Sequence, residues 1–175
     1  MHQLLPNPMR RARAGALALI AAAAAAAALV AATSSAAIAA GSPSCQTRGL
    51  VVWLNTNGNG TAGSVFYTLN YTNQSGHRCT LRGYPGVSAI NLRGRRIGKP
   101  ASRDSTTRVR TITLPNNATA TSVLRIVDNG VIANCGRANA AGLRIFPPNQ
   151  GASKTVPFPF GACSRTSVLT VRAVR

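Results

Sequence analysis

Residues 65–72 read Val-Phe-Tyr-Thr-Leu-Asn-Tyr-Thr, and this order of side chains predicts a β-strand. Successive side chains of a strand point to opposite faces. One face therefore carries Val65, Tyr67, Leu69 and Tyr71. The other face carries Phe66, Thr68, Asn70 and Thr72. A period of two with one apolar face is typical of a strand that covers a hydrophobic core on one side.

Further short runs of β-forming residues lie on both sides of this stretch, with Gly, Asn and Pro between them. The runs cover residues 50–54, 79–82, 87–92, 96–97, 108–114, 119–127, 131–132, 143–146 and 168–174. From them we expect about eight to nine strands at a spacing of roughly ten residues, a spacing typical of an antiparallel sandwich or barrel. Helical periodicity is almost absent, and the single candidate is a turn near residues 136–141.

Three connections can be predicted from turn-forming residues. Residues 87–92 and 96–97 read as the arms of a hairpin with Arg93-Gly94-Arg95 at its tip. At 83–86 the sequence Gly-Tyr-Pro-Gly predicts a type II turn, with Pro85 leading and a positive φ at Gly86. The Pro-rich residues 147–159 are expected to form a long loop.

The apolar residues of these runs define an expected core. The residues expected to face the space between two sheets are Trp53, Tyr67, Leu69, Leu124, Ile126, Leu143, Ile145, Leu169 and Val171. Truncation of such side chains leaves cavities, so each should matter for stability.

The first forty residues differ in composition from the rest. Arg10, Arg11 and Arg13 precede an apolar, alanine-rich run at residues 14–32, and Ala-Ile-Ala follows at 37–39. This order predicts a cleaved secretory signal over residues 1–39, with an uncleaved membrane anchor as the alternative. Ser-Pro-Ser before Cys45 is no lipobox, so lipidation is not expected. We expect a single domain at 45–175 in a protein that is secreted, extracellular or associated with the cell wall.

Four cysteines lie in the predicted domain: Cys45, Cys79, Cys135 and Cys163. An even number in a small exported domain indicates two disulfides, which can be connected in three ways. We expect the pairs Cys45–Cys79 and Cys135–Cys163, because each pair is close in sequence. A zinc site is the alternative, but there is no C-x-x-C pair and His77 is the sole histidine of the domain.

The residues required for common enzyme chemistries are scarce. Asp104 and Asp128 are the only acids in the sequence, and they lie in separate polar segments. His77 falls in a turn, and no G-x-S-x-G nucleophile motif is present. Calcium sites require several carboxylates, and this sequence has only two. Phosphate-binding loops require glycines that lead into a helix, and Gly58-Asn59-Gly60 does not. We therefore expect no enzyme, no cofactor and no metal site.

The charge of the predicted domain is strongly positive. Its seventeen Lys and Arg residues against two Asp give a net charge of +15. Seven of the basic residues fall within eighteen positions: Arg93, Arg95, Arg96, Lys99, Arg103, Arg108 and Arg110. Because arginine binds phosphate oxygens bidentately, these residues are the candidate anion site. An equally weighted alternative is that the arginine excess reflects composition alone.

The candidate partners are anionic cell-wall polymers, lipid headgroups and another envelope protein. Specific nucleic-acid binding is not expected, because the basic segment has no aromatic side chain for base stacking. Two further function classes remain open. One is a secreted scaffold or inhibitor-like protein whose arginines only keep it soluble. The other, less favoured, is a hydrolase.

The order of features resembles an actinobacterial secreted family catalogued as domain of unknown function 4232. The resemblance rests on the strand Tyr-Thr-Leu-Asn-Tyr-Thr-Asn at 67–73, Cys-Thr-Leu-Arg-Gly-Tyr-Pro-Gly-Val at 79–87, Leu114-Pro115 and the two late cysteines. It implies a single antiparallel β-sandwich, immunoglobulin-like, exported or attached to the envelope and often lipid-anchored in relatives. The chain departs from the family at the hairpin tip, where basic residues replace the usual acid. A role that depends on that acid, such as cation binding, is therefore not expected.

Overall fold

Eleven strands lie in residues 41–175, the part of the chain that the structure, a computed structural model, describes. They are β1 (Leu50–Thr61), β2 (Ser64–Asn73), β3 (Cys79–Arg82), β4 (Gly86–Ile90), β5 (Arg96–Ile97), β6 (Ser102–Asp104), β7 (Thr111–Leu114), β8 (Thr119–Val127), β9 (Arg137–Phe146), β10 (Lys154–Cys163) and β11 (Leu169–Arg172). Single 3-10 turns occur at Thr47–Gly49 and Asn129–Val131. Nowhere in these residues is there a helix with the length and apolar character needed to cross a membrane. The predicted signal, residues 1–39, lies outside the described residues.

The strands form three sheets around a shared core. The five-stranded sheet has the order β1-β2-β8-β11-β6, the four-stranded sheet β10-β9-β4-β5, and the small sheet pairs β3 with β7. Every pair is antiparallel except β11 with β6, which is parallel. Leu69, Leu143 and Leu81, one from each sheet, belong to a single cluster of buried side chains. The prediction of an all-β chain with two disulfides is confirmed, whereas the predicted count of eight to nine strands is too low.

The predicted alternation is present on β8 and only partial on β2, where Asn70 of the opposite face is buried as well. Leu69 and Tyr71 of β2 are fully buried, and on β8 the residues that alternate into the core are Ala120, Ser122, Leu124 and Ile126. Seven of the nine expected core residues are buried: Leu69, Leu124, Ile126, Leu143, Ile145, Leu169 and Val171. Pairing of β2 with β8 places these alternating faces in register, so the same side of both strands covers the core.

Trp53 is the wrong core prediction, since 44% of its surface is exposed. Leu50 and Leu54 are the buried residues of β1, so Trp53 lies on the opposite face. The run Leu-Val-Val-Trp-Leu is apolar throughout and therefore carries no alternation that would show which face is inward. Tyr67 is half-buried, and its ring packs edge-on against Phe158 at 5.0 Å between centroids.

Two segments predicted as irregular or helical are strands. The helix candidate was the segment 136–141, and all of it but Gly136 belongs to β9, which pairs with β4 on one side and β10 on the other. Tertiary pairing outweighs the helix propensity of its alanines. Gly142 suits this position, because a Cβ there would come within 2.6 Å of the Val156 carbonyl oxygen on β10.

The Pro-rich segment was predicted as a loop, but its second half is the edge strand β10. The pairing of β10 with β9 is irregular between Pro157 and Phe160, and Pro159 lies within this stretch. Proline is tolerated on an edge strand where its nitrogen faces away from the neighbouring strand, because no hydrogen bond of the sheet is lost there. Strand β6 was not predicted because three residues are too short for a periodic pattern. The predicted strand at residues 131–132 is wrong, because Val131 ends a 3-10 turn and Ile132 follows it.

The turn at 83–86 differs from its prediction in the position of the special glycine. Gly83 has a φ of +107°, whereas Gly86 begins the extended strand β4. Tyr84 is half-buried, and the Arg103 guanidinium lies 5.4 Å from the centroid of its ring. Pro85 is buried, so the segment acts as a folded corner between the small sheet and β4.

Both predicted disulfides are present. Cys45 is joined to Cys79 and Cys135 to Cys163, with Cα–Cα distances of 4.9 and 4.8 Å. All four cysteines are buried within the core cluster. The first bond fastens the segment before β1 to the start of β3, and the second fastens the segment before β9 to the end of β10. On the chain-entropy model, closing loops of this length stabilises a fold by roughly 3–4 kcal/mol each.

Candidate anion-binding cleft

The hairpin between β4 and β5 forms as predicted, and its tip is held by the side chain of Asn91. The Asn91 Oδ1 atom accepts hydrogen bonds from the Arg93 and Arg95 backbone N–H groups, at 3.0 and 2.9 Å. The Gly94 N–H donates to the Asn91 carbonyl at 2.9 Å, and the Asn91 N–H donates to the Arg95 carbonyl at 2.9 Å. Gly94 has a φ of +69°, a conformation that favours glycine. The backbone from which both arginines project is therefore fixed.

Strand β9 also contacts the tip of the hairpin. Arg144 of β9 donates through Nη2 to the Gly94 carbonyl oxygen. Ser88 of β4 pairs with Arg144, so the sheet register places this guanidinium close to the hairpin. Arg144 thus acts as a structural brace, and its charge is partly committed to the protein itself.

Arg93 and Arg95 line a cleft of about 480 Å³ next to the tip. The other lining residues are Asn91, Leu92, Asn139, Ala140, Ala141 and Pro159, from the hairpin, β9 and β10. Both arginines are exposed and belong to no ion pair among the described residues. Two guanidinium groups that line one cleft offer several N–H donors to a phosphate or carboxylate.

The remaining residues of the predicted basic site do not line this cleft. Arg96 begins β5, and Lys99 follows it in a turn where its N–H donates to the Thr166 carbonyl at 3.2 Å. Arg103 lies on β6, an edge strand of the other large sheet, against Tyr84. Arg108 and Arg110 are exposed in the segment between β6 and β7. Of the seven predicted residues, the cleft brings together only Arg93 and Arg95.

Sequence reasoning missed the residues that complete the cleft. Asn139 and Pro159 come from strands that were predicted as a helical turn and a loop, so their approach to the hairpin could not be anticipated. Asn91 was detectable, because asparagine at the start of a turn commonly bonds to the backbone two residues further on.

The two acids of the chain have structural partners. Asp104 Oδ2 lies 2.7 Å from Arg172 Nε, and Asp104 Oδ1 accepts from the Thr106 hydroxyl and N–H. The Thr106 hydroxyl, the Arg172 guanidinium and the Thr106 N–H together lower the pKa of Asp104 to about 2. Asp128 caps a 3-10 turn by accepting from the Gly130 N–H at 2.8 Å.

His77 and the acids lie in different elements. His77 is exposed in the turn between β2 and β3, with Nδ1 at 3.0 Å from the Ser75 carbonyl oxygen. Within residues 41–175 no three His, Cys, Asp or Glu side chains lie close enough together to hold a metal ion.

A second cleft, of about 420 Å³, lies at the β1–β2 connection and the first residues of β2. Its lining includes Tyr67, Phe160, Ser64 and Asp128, and no basic residue. Arg125 donates to Ser64 Oγ at 3.0 and 2.8 Å, and its guanidinium lies 5.8 Å from the Phe66 ring centroid. This cleft is therefore aromatic and polar in character, without a cation directed into it.

Comparison with known proteins gives one match. No curated protein and no solved structure matches the chain significantly. The model of the family described as "Domain of unknown function (DUF4232)" matches residues 45–175, which comprise all eleven strands and both disulfides. The chain therefore belongs to the DUF4232 family.

Proposed function

We propose that this protein is an exported, non-enzymatic binding module that holds an anionic group in the cleft beside the β4–β5 hairpin. One observation carries the proposal: Arg93 and Arg95, fixed at the backbone by Asn91 Oδ1, line the same cleft. A fixed backbone lowers the entropy lost when a ligand orders the side chains. The expected ligand is phosphate-bearing, because planar guanidinium groups match phosphate oxygens.

The setting that we propose is the envelope of an actinobacterium. The predicted signal over residues 1–39 and two disulfides support export, since disulfides persist in oxidising compartments. The shared core of the two large sheets supports a sandwich, immunoglobulin-like architecture. Anionic wall polymers, anionic lipids or an acidic face of another envelope protein supply the partner in this setting.

The test compares two double variants that remove equal charge. Arg93→Ala/Arg95→Ala removes the two cleft arginines, whereas Arg108→Ala/Arg110→Ala removes two exposed arginines that do not line it. Inorganic polyphosphate is the probe, titrated against the full-length chain at several salt concentrations. We expect the cleft variant to lose about tenfold or more in affinity, because bonds to charged groups are lost. The control should lose about twofold, through the weaker general field.

The salt dependence provides a second readout. Log affinity falls as log salt rises, and each lost phosphate contact makes this negative slope less steep by about one. The salt dependence of affinity should therefore become less steep for the cleft variant and stay nearly constant for the control. Equal losses in the two variants would contradict the proposal and favour a secreted scaffold whose arginines serve solubility.

A further inference from the structure

Leu92 is the most exposed large apolar residue of the described chain, with 95% of its side chain accessible. Val131 follows with 65%, then Val51 with 50% and Trp53 with 44%. Leu92 lies at the hairpin tip, between Asn91 and Arg93, where polar residues are usual. An isolated exposed leucine would be ordinary, but this one lies directly beside the cleft arginines.

The backbone that carries Leu92 is held by the hydrogen bonds of the tip. Asn91 binds the backbone on both sides of Gly94, and Arg144 binds the Gly94 carbonyl. The same contacts therefore fix the backbone that presents the exposed Leu92 and that positions Arg93 and Arg95. Such a tip is suited to a partner that supplies an apolar environment next to anionic groups.

The lining of the cleft has this dual character as well. Arg93, Arg95 and Asn139 contribute polar groups, whereas Leu92, Ala140, Ala141 and Pro159 contribute apolar surface. A wholly polar anion would use only the first set. An amphiphile, with phosphate next to hydrocarbon, would use both.

We propose that the hairpin tip docks on an anionic phospholipid surface. Leu92 enters the boundary between headgroups and acyl chains, while Arg93, Arg95 and the neighbouring Arg96 bind lipid phosphates. Membrane-surface elements combine apolar anchors with basic residues in this way, and each arginine near an anionic leaflet adds electrostatic attraction. The inference rests on the proposed function, because the same two arginines form the anion site.

The test places a fluorescent indole at the tip. Leu92→Trp is made in a Trp53→Phe background, so that the introduced indole is the only tryptophan of the full-length chain. The matched control is Val131→Trp in the same background, which introduces the same indole at another exposed apolar position. Vesicles contain phosphatidylglycerol with phosphatidylcholine, or phosphatidylcholine alone, and carry bromine on their acyl chains as a quencher.

We expect the indole at position 92 to lose fluorescence in phosphatidylglycerol vesicles and to keep it in pure phosphatidylcholine. Adding Arg93→Ala/Arg95→Ala should abolish the loss, and the indole at position 131 should keep its fluorescence in both. The predicted signal at residues 1–39 is the same in every variant. The difference between the indoles at positions 92 and 131, and its loss with Arg93→Ala/Arg95→Ala, therefore reports on the tip.

Two results would overturn the inference: no quenching at position 92, or equal quenching in both kinds of vesicle. If polyphosphate affinity still depends on Arg93 and Arg95 in that case, the proposed anion site stands and only its lipid occupant is wrong. If polyphosphate affinity does not depend on these arginines, the proposed function itself fails.

Discussion

The two clefts of the molecule are similar in volume and opposite in character. The hairpin cleft, about 480 Å³, is lined by Arg93 and Arg95 on a connection between strands. The aromatic cleft, about 420 Å³, is lined by Tyr67, Phe160 and Asp128, and its floor includes Ile126 of the core. In a domain with a net charge of +15, one cleft has two arginines and the other has none.

This difference bears on whether the arginines of the hairpin cleft are there only because the chain is rich in arginine. An arginine excess due to composition alone predicts no preference for one concave surface over another. The hairpin cleft also has a backbone fixed by Asn91, a feature that general charge does not require. The two clefts can therefore be compared within one molecule. Substitutions in the hairpin cleft test the proposed anion site, and substitutions in the aromatic cleft test the packing of the fold.

The largest expected effect concerns stability, and it should separate the clefts clearly. Ile126→Ala at the floor of the aromatic cleft should lower the free energy of unfolding by about 2–5 kcal/mol, because it leaves a cavity in the core. Leu92→Ala at the hairpin cleft should change it by less than about 0.5 kcal/mol, since the side chain is exposed. Chemical denaturation measures both. A neutral Ile126→Ala would contradict the assigned facing of β8.

An intermediate effect is expected from Asn91, which has no charge. Asn91→Ala removes two hydrogen bonds to the tip and should cost about 1–2 kcal/mol in unfolding free energy. Polyphosphate affinity should fall as well, although every arginine remains, because the tip loses its fixed geometry. Asn91→Asp keeps the Oδ1 acceptor and should retain the stability. If Asn91→Ala leaves polyphosphate affinity unchanged, a fixed backbone is not part of the site.

The smallest effect is expected outside both clefts, from the lowered pKa of Asp104. Its value of about 2 in the fold lies below the ordinary 3.8, so the charged carboxylate stabilises the native state. This contribution is complete above pH 3.8 and is lost as the pH falls towards 2. The loss should be small because the pair with Arg172 is partly exposed. Thermal unfolding of wild type and Asp104→Asn between pH 2 and 6 measures it. Parallel pH profiles would contradict the assignment.

The sequence predicted those parts of the fold that depend on local patterns. Alternation located β2 and β8, cysteine spacing suggested the two disulfides, and Gly94 marked the hairpin tip. Trp53 was misplaced because its strand has no alternation, and β10 was missed because its prolines suggest a loop. Both strands pair with neighbours in the chain, β1 with β2 and β10 with β9. The errors share a cause, since the local pattern of side chains does not show which face of β1 is inward or that the prolines of β10 lie in a strand.

For the candidate site the same limit applies more strongly. The sequence indicated seven basic residues within eighteen positions, but it contained no information on which of them would share a cleft. That selection depends on the register of β4 with β9, which brings Asn139 and Arg144 to the hairpin. The other five basic residues are divided between β5 at the edge of the four-stranded sheet, β6 at the edge of the five-stranded sheet, and the segments that follow these two strands.

The prolines of β10 have a consequence for self-association. An edge strand offers unpaired N–H and C=O groups on which a strand of another copy can assemble. Pro157 and Pro159 have no N–H to offer, and the pairing of β10 with β9 is irregular between Pro157 and Phe160. Pro159 also lines the hairpin cleft. The proposed anion site therefore borders an edge that offers fewer N–H donors to a strand of another copy, which disfavours sheet-to-sheet association beside the cleft.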